Sequence, residues 1–387
     1  MYNKNILIGV FKNYKKNSVE YLNELENLLK VFNGKVKKKF LQRRLKPHNL
    51  TYVGKGFLKK VALYVKENLI DTVIFDDELT LSQIKNIEKE IKCIISDRTK
   101  LILDIFFYKA KTSYSKMQIK LGQYEYLLPR LTHMWSHLKR QKGGIGLRGP
   151  GEKEIETDRR LIKKSILILK RKINKLNYQL LIQRKRRKNK LSISLIGYTN
   201  VGKSTIISKL TNNQLVIDNK YFTTLDTKVN NYYFKNKKYL MVDTIGFIRK
   251  IPTTLIESFK STLLEIKYSD LILHIVDISS NFVIEKILYI MNFLLKLKLI
   301  NKNIIIVFNK IDKIKNFNLL YIKKLFKSKN KYLLFKNNYI YYIYKINNII
   351  YKKKIKYILF TKINNIYINK LKEFILMVSA GFEPATS

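Results

Sequence analysis

Ser192-Ile-Ser-Leu-Ile196, followed without a break by Gly197-Tyr-Thr-Asn-Val-Gly-Lys-Ser204, decides the fold of this chain. The apolar run predicts a buried strand, and the residues after Ser204 carry a helical pattern. Between them, the spacing of Gly197, Gly202, Lys203 and Ser204 predicts a P-loop. Its backbone N–H groups curl around phosphates, Lys203 bridges the outer phosphates, and the Ser204 hydroxyl offers a ligand to Mg²⁺ at the helix N-terminus. The tetrad alone recurs by chance; strand, loop and helix in this order make it specific.

Two further elements follow in the order such a site requires. Lys238-Tyr-Leu-Met-Val-Asp243 predicts a strand ending in an acid, directly before Thr244-Ile245-Gly246. Asp243 is expected at the metal, through a water, with the Gly246 N–H facing the γ-phosphate. Asn309-Lys-Ile-Asp312 comes after the buried-strand pattern of Asn303 to Phe308. Guanine presents two donors on one edge, so Asp312 can accept from both while Asn309 addresses the other side and the Lys310 stem covers the base face. Adenine would set an acceptor against that carboxylate, so GTP and GDP are the expected ligands and ATP is not.

Phe222-Thr223-Thr224-Leu225-Asp226 is the candidate switch between these elements, where Thr224 completes the Mg²⁺ shell and Thr223 is the competing choice. The residues expected around the nucleotide are thus Gly197, Tyr198, Thr199, Asn200, Val201, Gly202, Lys203, Ser204 and Thr205, then Phe222 to Leu225, Asp243 to Gly246, Asn309, Lys310 and Asp312. Ser204, Thr224 and Asp243 form the metal set. Lys203, Thr224, Gly246 and Phe247 are the positions expected to bear on catalysis. Phe247 stands where many GTPases carry a water-orienting Gln; phenylalanine cannot orient water, which predicts slow intrinsic hydrolysis with the nucleophile positioned by a partner or another protein group. His274, inside an apolar run, reads as a packed core histidine and not as a base.

Strands are expected at Lys228 to Phe234 and Tyr239 to Asp243, paired as a hairpin around Asn236, and at Leu271 to Asp277 and Lys356 to Phe360. Together they predict an α/β fold with a mostly parallel, doubly wound sheet.

Upstream, short apolar runs at Ile6 to Val10, Thr72 to Phe75 and Cys93 to Ile95 alternate with helical stretches, predicting a small α/β domain over residues 1–104. Phe107, Ala110, Tyr114, Met117, Leu121, Tyr124 and Leu128 then trace one seam that Pro129 is expected to end. Ile162, Ile166, Leu169, Ile173, Leu176 and Leu180 trace a second, so residues 105–190 are expected to form an antiparallel helical hairpin. Its tip is the glycine-rich loop Gln141 to Gly151, flanked by Trp135, Arg140, Lys142 and Arg148, groups suited to stacking on bases and pairing with phosphates. Residues 159–190 hold 14 Lys or Arg and no Asp or Glu. Such a block repels itself unless a polyanion neutralises it. The G domain is expected over residues 191–376.

The whole chain of 387 residues carries +49 formal charge, from 77 Lys and Arg against 28 Asp and Glu. Lys, Asn, Ile and Tyr dominate throughout, as an AT-biased gene would encode, so the local blocks carry more meaning than the total. Cys93 is the sole cysteine, which excludes a disulfide framework or cysteine metal site within the chain and suits a reducing compartment. Ile6 to Phe11 is too short for a signal segment and Lys interrupts Ile284 to Ile300, so a cytoplasmic protein without membrane spans is expected.

These motifs, with Arg148-Gly-Pro-Gly-Glu152 and Glu156-Thr-Asp-Arg-Arg160, resemble the HflX family of ribosome-associated GTPases. The likeness extends upstream through Tyr52-Val-Gly-Lys-Gly56, Phe75 to Leu79 with Gln83, Asp97-Arg-Thr99, Leu101 to Phe106 and Tyr126 to Leu131, covering about residues 5–312. It implies an N-terminal α/β domain, a helical hairpin and a Ras-like G domain. It further implies binding to the large ribosomal subunit and its RNA, not DNA, splitting or rescue of stalled ribosomes, a hairpin tip near the peptidyl-transferase region, and a monomer. The final guanine-side loop of the family corresponds to Phe360-Thr361-Lys362 here. Thr227 departs from the family's Pro after the switch Asp, and acids expected near Tyr114 and Ser115 are missing. Lys327 to Lys354 yields no functional reading, and Val378 to Ser387 breaks the composition as an unstructured tail would. Two other readings use the same residues: an RNA-binding module that holds nucleotide with little turnover, and a GTPase acting on another RNA or a protein.

Overall fold

The computed structural model describes residues 2–11, 17–134, 150–185, 190–211, 228–234, 237–244, 246–250, 252, 255, 260–314, 333–336, 339–346, 349–355, 357–360, 371–373 and 375. The tip residues 135–149, Phe222 to Asp226, Asn236, Ile245, Thr361, Lys362 and the tail 378–387 lie outside them. The chain divides into two compact units, residues 1–178 with 252–258, and residues 179–251 with 259–387.

In the first unit β1 (Lys4–Phe11), β2 (Lys35–Arg43), β3 (Thr72–Phe75) and β4 (Ile94–Asp97) form a parallel sheet ordered β2-β1-β3-β4. β3 coincides with the run read from sequence, while β4 starts one residue later than Cys93. β3 reads Thr-Val-Ile-Phe with every residue buried, because a parallel strand covered on both faces needs no polar alternation. Helices α1 (Asn17–Leu29), α2 (Lys55–Glu67), α3 (Leu81–Ile91) and α4 (Arg98–Lys109) connect and follow these strands. Ile6, Ile8, Val61, Val73, Phe75 and Ile87 sit in one fully buried cluster.

The polar residues of the upstream motifs form a buried network. Asp97 caps α4 by accepting from Lys100 N at 2.8 Å, and its other oxygen accepts from Leu79 N at 3.1 Å and from the Tyr126 hydroxyl at 2.9 Å. Arg98 donates to Asp76 at 2.8 Å and to Glu24 at 2.6 Å. Arg130 reaches the Glu78 carboxylate at 3.1 Å and the Leu79 carbonyl at 3.0 Å.

The hairpin helices are α5 (Ser113–Met134) and α6 (Pro150–Lys185). Three expectations change here. Phe107 belongs to α4 and is exposed, because the chain turns extended at Ala110 before α5 begins, so the first seam is split. Pro129 does not end α5, which runs on to Met134. Proline cannot donate to the carbonyl one turn back, but buried Leu131 and the anchored Arg130 outweigh that single lost bond. Pro150 and Gly151, read as loop, open α6. The seams themselves meet: Leu121, Ile166 and Ile173 pack with Tyr114, Met117, Tyr124, Leu128, Ile162 and Leu169. The Tyr114 hydroxyl donates to Asn177 at 2.6 Å and Lys170 pairs with Glu125 at 2.8 Å, so partners descend on one helix as they rise on the other and the pair is antiparallel.

In the second unit β5 (Leu191–Ile196), β6 (Lys228–Phe234), β7 (Lys237–Asp243), β8 (Leu271–Asp277), β9 (Asn303–Asn309) and β13 (Tyr357–Phe360) form a six-stranded sheet ordered β13-β9-β8-β5-β7-β6. Only the β6–β7 hairpin is antiparallel. α7 (Lys203–Thr211), α8 (Lys260–Tyr268) and α9 (Val283–Lys296) accompany it. Within the Lys327–Lys354 region, β10 (Leu333–Lys336), β11 (Tyr339–Ile346) and β12 (Ile349–Ile355, one residue past that region) make a separate antiparallel meander.

Candidate nucleotide site

The loop after β5 is held in shape from below. A Cβ on Gly197 would stand 2.4 Å from the Ile275 carbonyl oxygen of β8, so only glycine lets the loop start this close to the sheet. Lys203, first residue of α7, is 7% exposed and donates to the carbonyls of Gly197 at 3.1 Å and Tyr198 at 2.8 Å. Burial lowers its amine to about 8, with the nearby Asp243 carboxylate working in the opposite direction. The next residue, Ser204, donates from Oγ to Asp243 Oδ2 at 2.7 Å, and Asp243 is 1% exposed at the end of β7. A hydroxyl and a carboxylate oxygen at that separation are the hard ligands Mg²⁺ takes, beside an ammonium in a carbonyl cradle. Thr244 is buried and donates from Oγ1 to the Leu195 carbonyl at 2.5 Å.

The segment after Thr244 lies directly on the loop. Phe247 N donates to the Gly197 carbonyl at 3.0 Å and its own carbonyl accepts from Thr199 N at 2.9 Å. A Cβ on Gly246 would meet Thr199 Cγ2 at 2.6 Å. The Phe247 ring is buried against Phe293 of α9, with centroids 4.8 Å apart and planes at 69°. Its main chain therefore touches the loop while its side chain packs into the core.

The expected guanine side is joined to the phosphate side by side chains. Asn309, fully buried at the end of β9, donates from Nδ2 to the Val201 carbonyl at 2.8 Å. Its Oδ1 has no hydrogen-bond donor among the described residues. Lys310, at φ 61°, donates from Nζ to the Asn200 carbonyl at 2.7 Å and pairs with Asp277 at 2.7 Å. Asp312 is exposed in a short 3-10 turn, Ile311–Lys313. Asp277 was not among the residues read from sequence, although an acid closing the buried run Leu271 to Val276, one strand from Asn309, was a visible signal. His274 is 1% exposed in β8. Burial first, then the charge of Lys203, lowers its imidazole to about 3, leaving it neutral.

Gly197, Tyr198, Asn200, Val201, Lys203, Ser204, Asp243, Asn309 and Lys310 are thus brought together, with Gly246 and Phe247 against the same loop. Phe222 to Leu225, Ile245, Thr361 and Lys362 fall outside the described residues.

Three family models match in chain order: "GTP-binding GTPase N-terminal" over residues 19–107, "GTP-binding GTPase Middle Region" over 109–187, and "50S ribosome-binding GTPase" over 192–310. The chain is similar to GTPase HflX of Flavobacterium psychrophilum, 48% identical over 82% of this chain and 78% of that one. The chain belongs to the HflX family of GTPases. GTPase HflX of Escherichia coli K12 is 35% identical over 81% of this chain and 74% of its own length. That of Caldanaerobacter subterraneus is 41% identical over 76% and 69%. A more distant likeness is a solved GTP-binding protein from Sulfolobus solfataricus in complex with GDP, 23% identical over 97% of this chain and 99% of its own, with a TM-score of 0.49. As an HflX GTPase the protein is a GTP hydrolase, with GTP, GDP and Mg²⁺ as its ligands. Among the described residues no helix is long and apolar enough to cross a membrane.

Proposed function

We propose that this HflX GTPase uses bound GTP to control attachment to the large ribosomal subunit, and that it splits or rescues stalled ribosomes. The observation that supports the nucleotide half is the junction of Asn309 and Lys310 with the carbonyls of Val201 and Asn200, two side chains offered here as base readers that touch the loop offered here as the phosphate cradle. In this reading Lys203 neutralises the outer phosphates, Ser204 and Asp243 hold Mg²⁺, and Thr224, or its neighbour Thr223, completes the shell. The Gly246 N–H reports the γ-phosphate. Asn309, Lys310 and Asp312 read guanine, with Thr361 and Lys362 at its remaining edge. Bound Mg²⁺ supplies positive charge for the leaving phosphate oxygens.

The ribosomal half is supported by the description of the model matching residues 192–310 and by the surface of α6, where Arg159, Arg160, Lys163, Lys164, Arg171, Lys172 and Lys175 are all exposed. Residues 1–104 serve as the N-terminal domain, 105–190 as a hairpin whose glycine-rich tip enters the subunit, and 191–376 as the G domain, in a cytoplasmic monomer. Phe247 gives no polar atom to the attacking water, so turnover is slow until the ribosome stimulates it.

Sedimentation with large subunits, in GTP, a non-hydrolysable analogue and GDP, tests this reading alongside phosphate release. It predicts retention with the first two, loss with GDP, and stimulated release. Binding that ignores the nucleotide, with unstimulated release, contradicts it.

A further inference from the structure

Asp277 closes β8 and stands in register opposite Asn309, the residue that closes β9. One carboxylate oxygen is fixed by its own turn, accepting from Ser279 N at 3.0 Å and Ser279 Oγ at 2.5 Å. The other meets Lys310 Nζ at 2.7 Å, and that ammonium also donates to the Asn200 carbonyl at 2.7 Å. Both side chains of the pair are 18% exposed, so the attraction is less screened than at a surface. Burial raises the Asp277 carboxyl, but the bonds from Lys310 and Ser279 outweigh it and hold it below the usual range, so it is ionised wherever the protein works.

Lys310 adopts φ 61°, a conformation a lysine keeps only where its surroundings impose it. Its stem is pinned at both ends, by the backbone after β9 and by Nζ between Asp277 and the phosphate loop. A base laid on that stem meets one rotamer instead of many, so less ordering remains to be done on binding.

Resting on the guanine-site reading above, we propose that Asp277 is a positioning residue for nucleotide retention: by clamping Lys310 to the Asn200 carbonyl it fixes the platform under the base and sets how long GDP stays bound. Asp277 touches no nucleotide in this scheme and acts through Lys310 alone. Truncating it frees the Lys310 stem, and the base and phosphate ends of the site lose one connection.

The test is release of a fluorescent GDP analogue, chased with excess GDP, from the full chain and from Asp277→Ala, Asp277→Asn, Lys310→Ala and the Asp277→Ala/Lys310→Ala double variant. Release from Asp277→Ala is expected about tenfold faster, the scale of one charge-assisted hydrogen bond, with Asp277→Asn between it and the parent. The double variant is expected to release no faster than Lys310→Ala, because the effect passes entirely through that side chain. A general loss of folding would instead multiply the two effects and lower the melting temperature further in the double variant. Unchanged release from Asp277→Ala, or multiplying effects, overturns the proposal while leaving the guanine site intact. A parent chain that retains ADP as long as GDP overturns the guanine-site reading, and the proposal with it.

Discussion

Gly246→Ala probes how the segment after β7 rests on the phosphate loop. An added Cβ would stand 2.6 Å from Thr199 Cγ2, 2.9 Å from Thr199 Cα and 3.1 Å from Thr199 N. The methyl can swing aside; the two backbone atoms cannot, so the segment must lift. Lifting it stretches the bonds Phe247 N to Gly197 O, 3.0 Å, and Thr199 N to Phe247 O, 2.9 Å. Overpacking costs about 1 to 3 kcal/mol and weakening the two hydrogen bonds, at about 0.5 kcal/mol each, adds about 1, so a local loss of roughly 2 to 4 kcal/mol is expected. Native-state hydrogen exchange reads this at the two amides: at about 1.4 kcal/mol per decade, Thr199 and Phe247 should exchange at least about thirtyfold faster, with distant β9 amides unchanged. Hydrolysis in a single turnover should fall about tenfold, as the Gly246 N–H moves off the γ-phosphate. Unaltered exchange at both amides would refute the reasoning.

Three other outcomes follow from the same geometry. Burial depresses the Lys203 amine to about 8, and bound phosphates favour its charged form, so nucleotide binding above pH 8 should take up a proton and affinity should weaken as pH rises past 8. Calorimetry at pH 8.5 in buffers of different ionisation enthalpy checks this, and an identical heat in all of them counts against it. Phe247→Ala removes a ring packed 4.8 Å from Phe293 and should cost about 3 to 5 kcal/mol, read as a lowered thermal midpoint that GDP only partly restores. Arg98→Ala removes the cation paired with Asp76, which is 1% exposed, and should cost the first unit about 3 to 5 kcal/mol, where a surface ion pair would cost under 1.

In the G-domain sheet β5, β7 and β9 were legible because each carries an apolar run that stops at a candidate site position: Ile196 before the loop, Asp243 and Asn309. Local chemistry and fold point the same way at those positions. Pro129 misled because intrinsic propensity is a weak prior where tertiary contacts oppose it, and Arg130 with Leu131 holds α5 past the proline. The seam across Phe107 and Ala110 misled because spacing alone does not reveal a break: Phe107 ends up exposed on α4 and the chain turns extended at Ala110. Asp277 was missed because its role depends on Lys310, the residue after its register partner Asn309, and strand register is invisible until the sheet order is known. The upstream motifs were recognisable as strings, but their physical reason, a network centred on Asp97, needed the packing of α5 against Leu79 to appear.

Calorimetric titration of the folded chain with GDP, GTP, ADP and ATP in Mg²⁺ tests the central claim most directly. Guanine nucleotides are expected to bind at least about a hundredfold tighter than their adenine counterparts, since the wrong base leaves Asp312 and Asn309 facing unmatched groups. Equal affinities for the two bases would contradict the account.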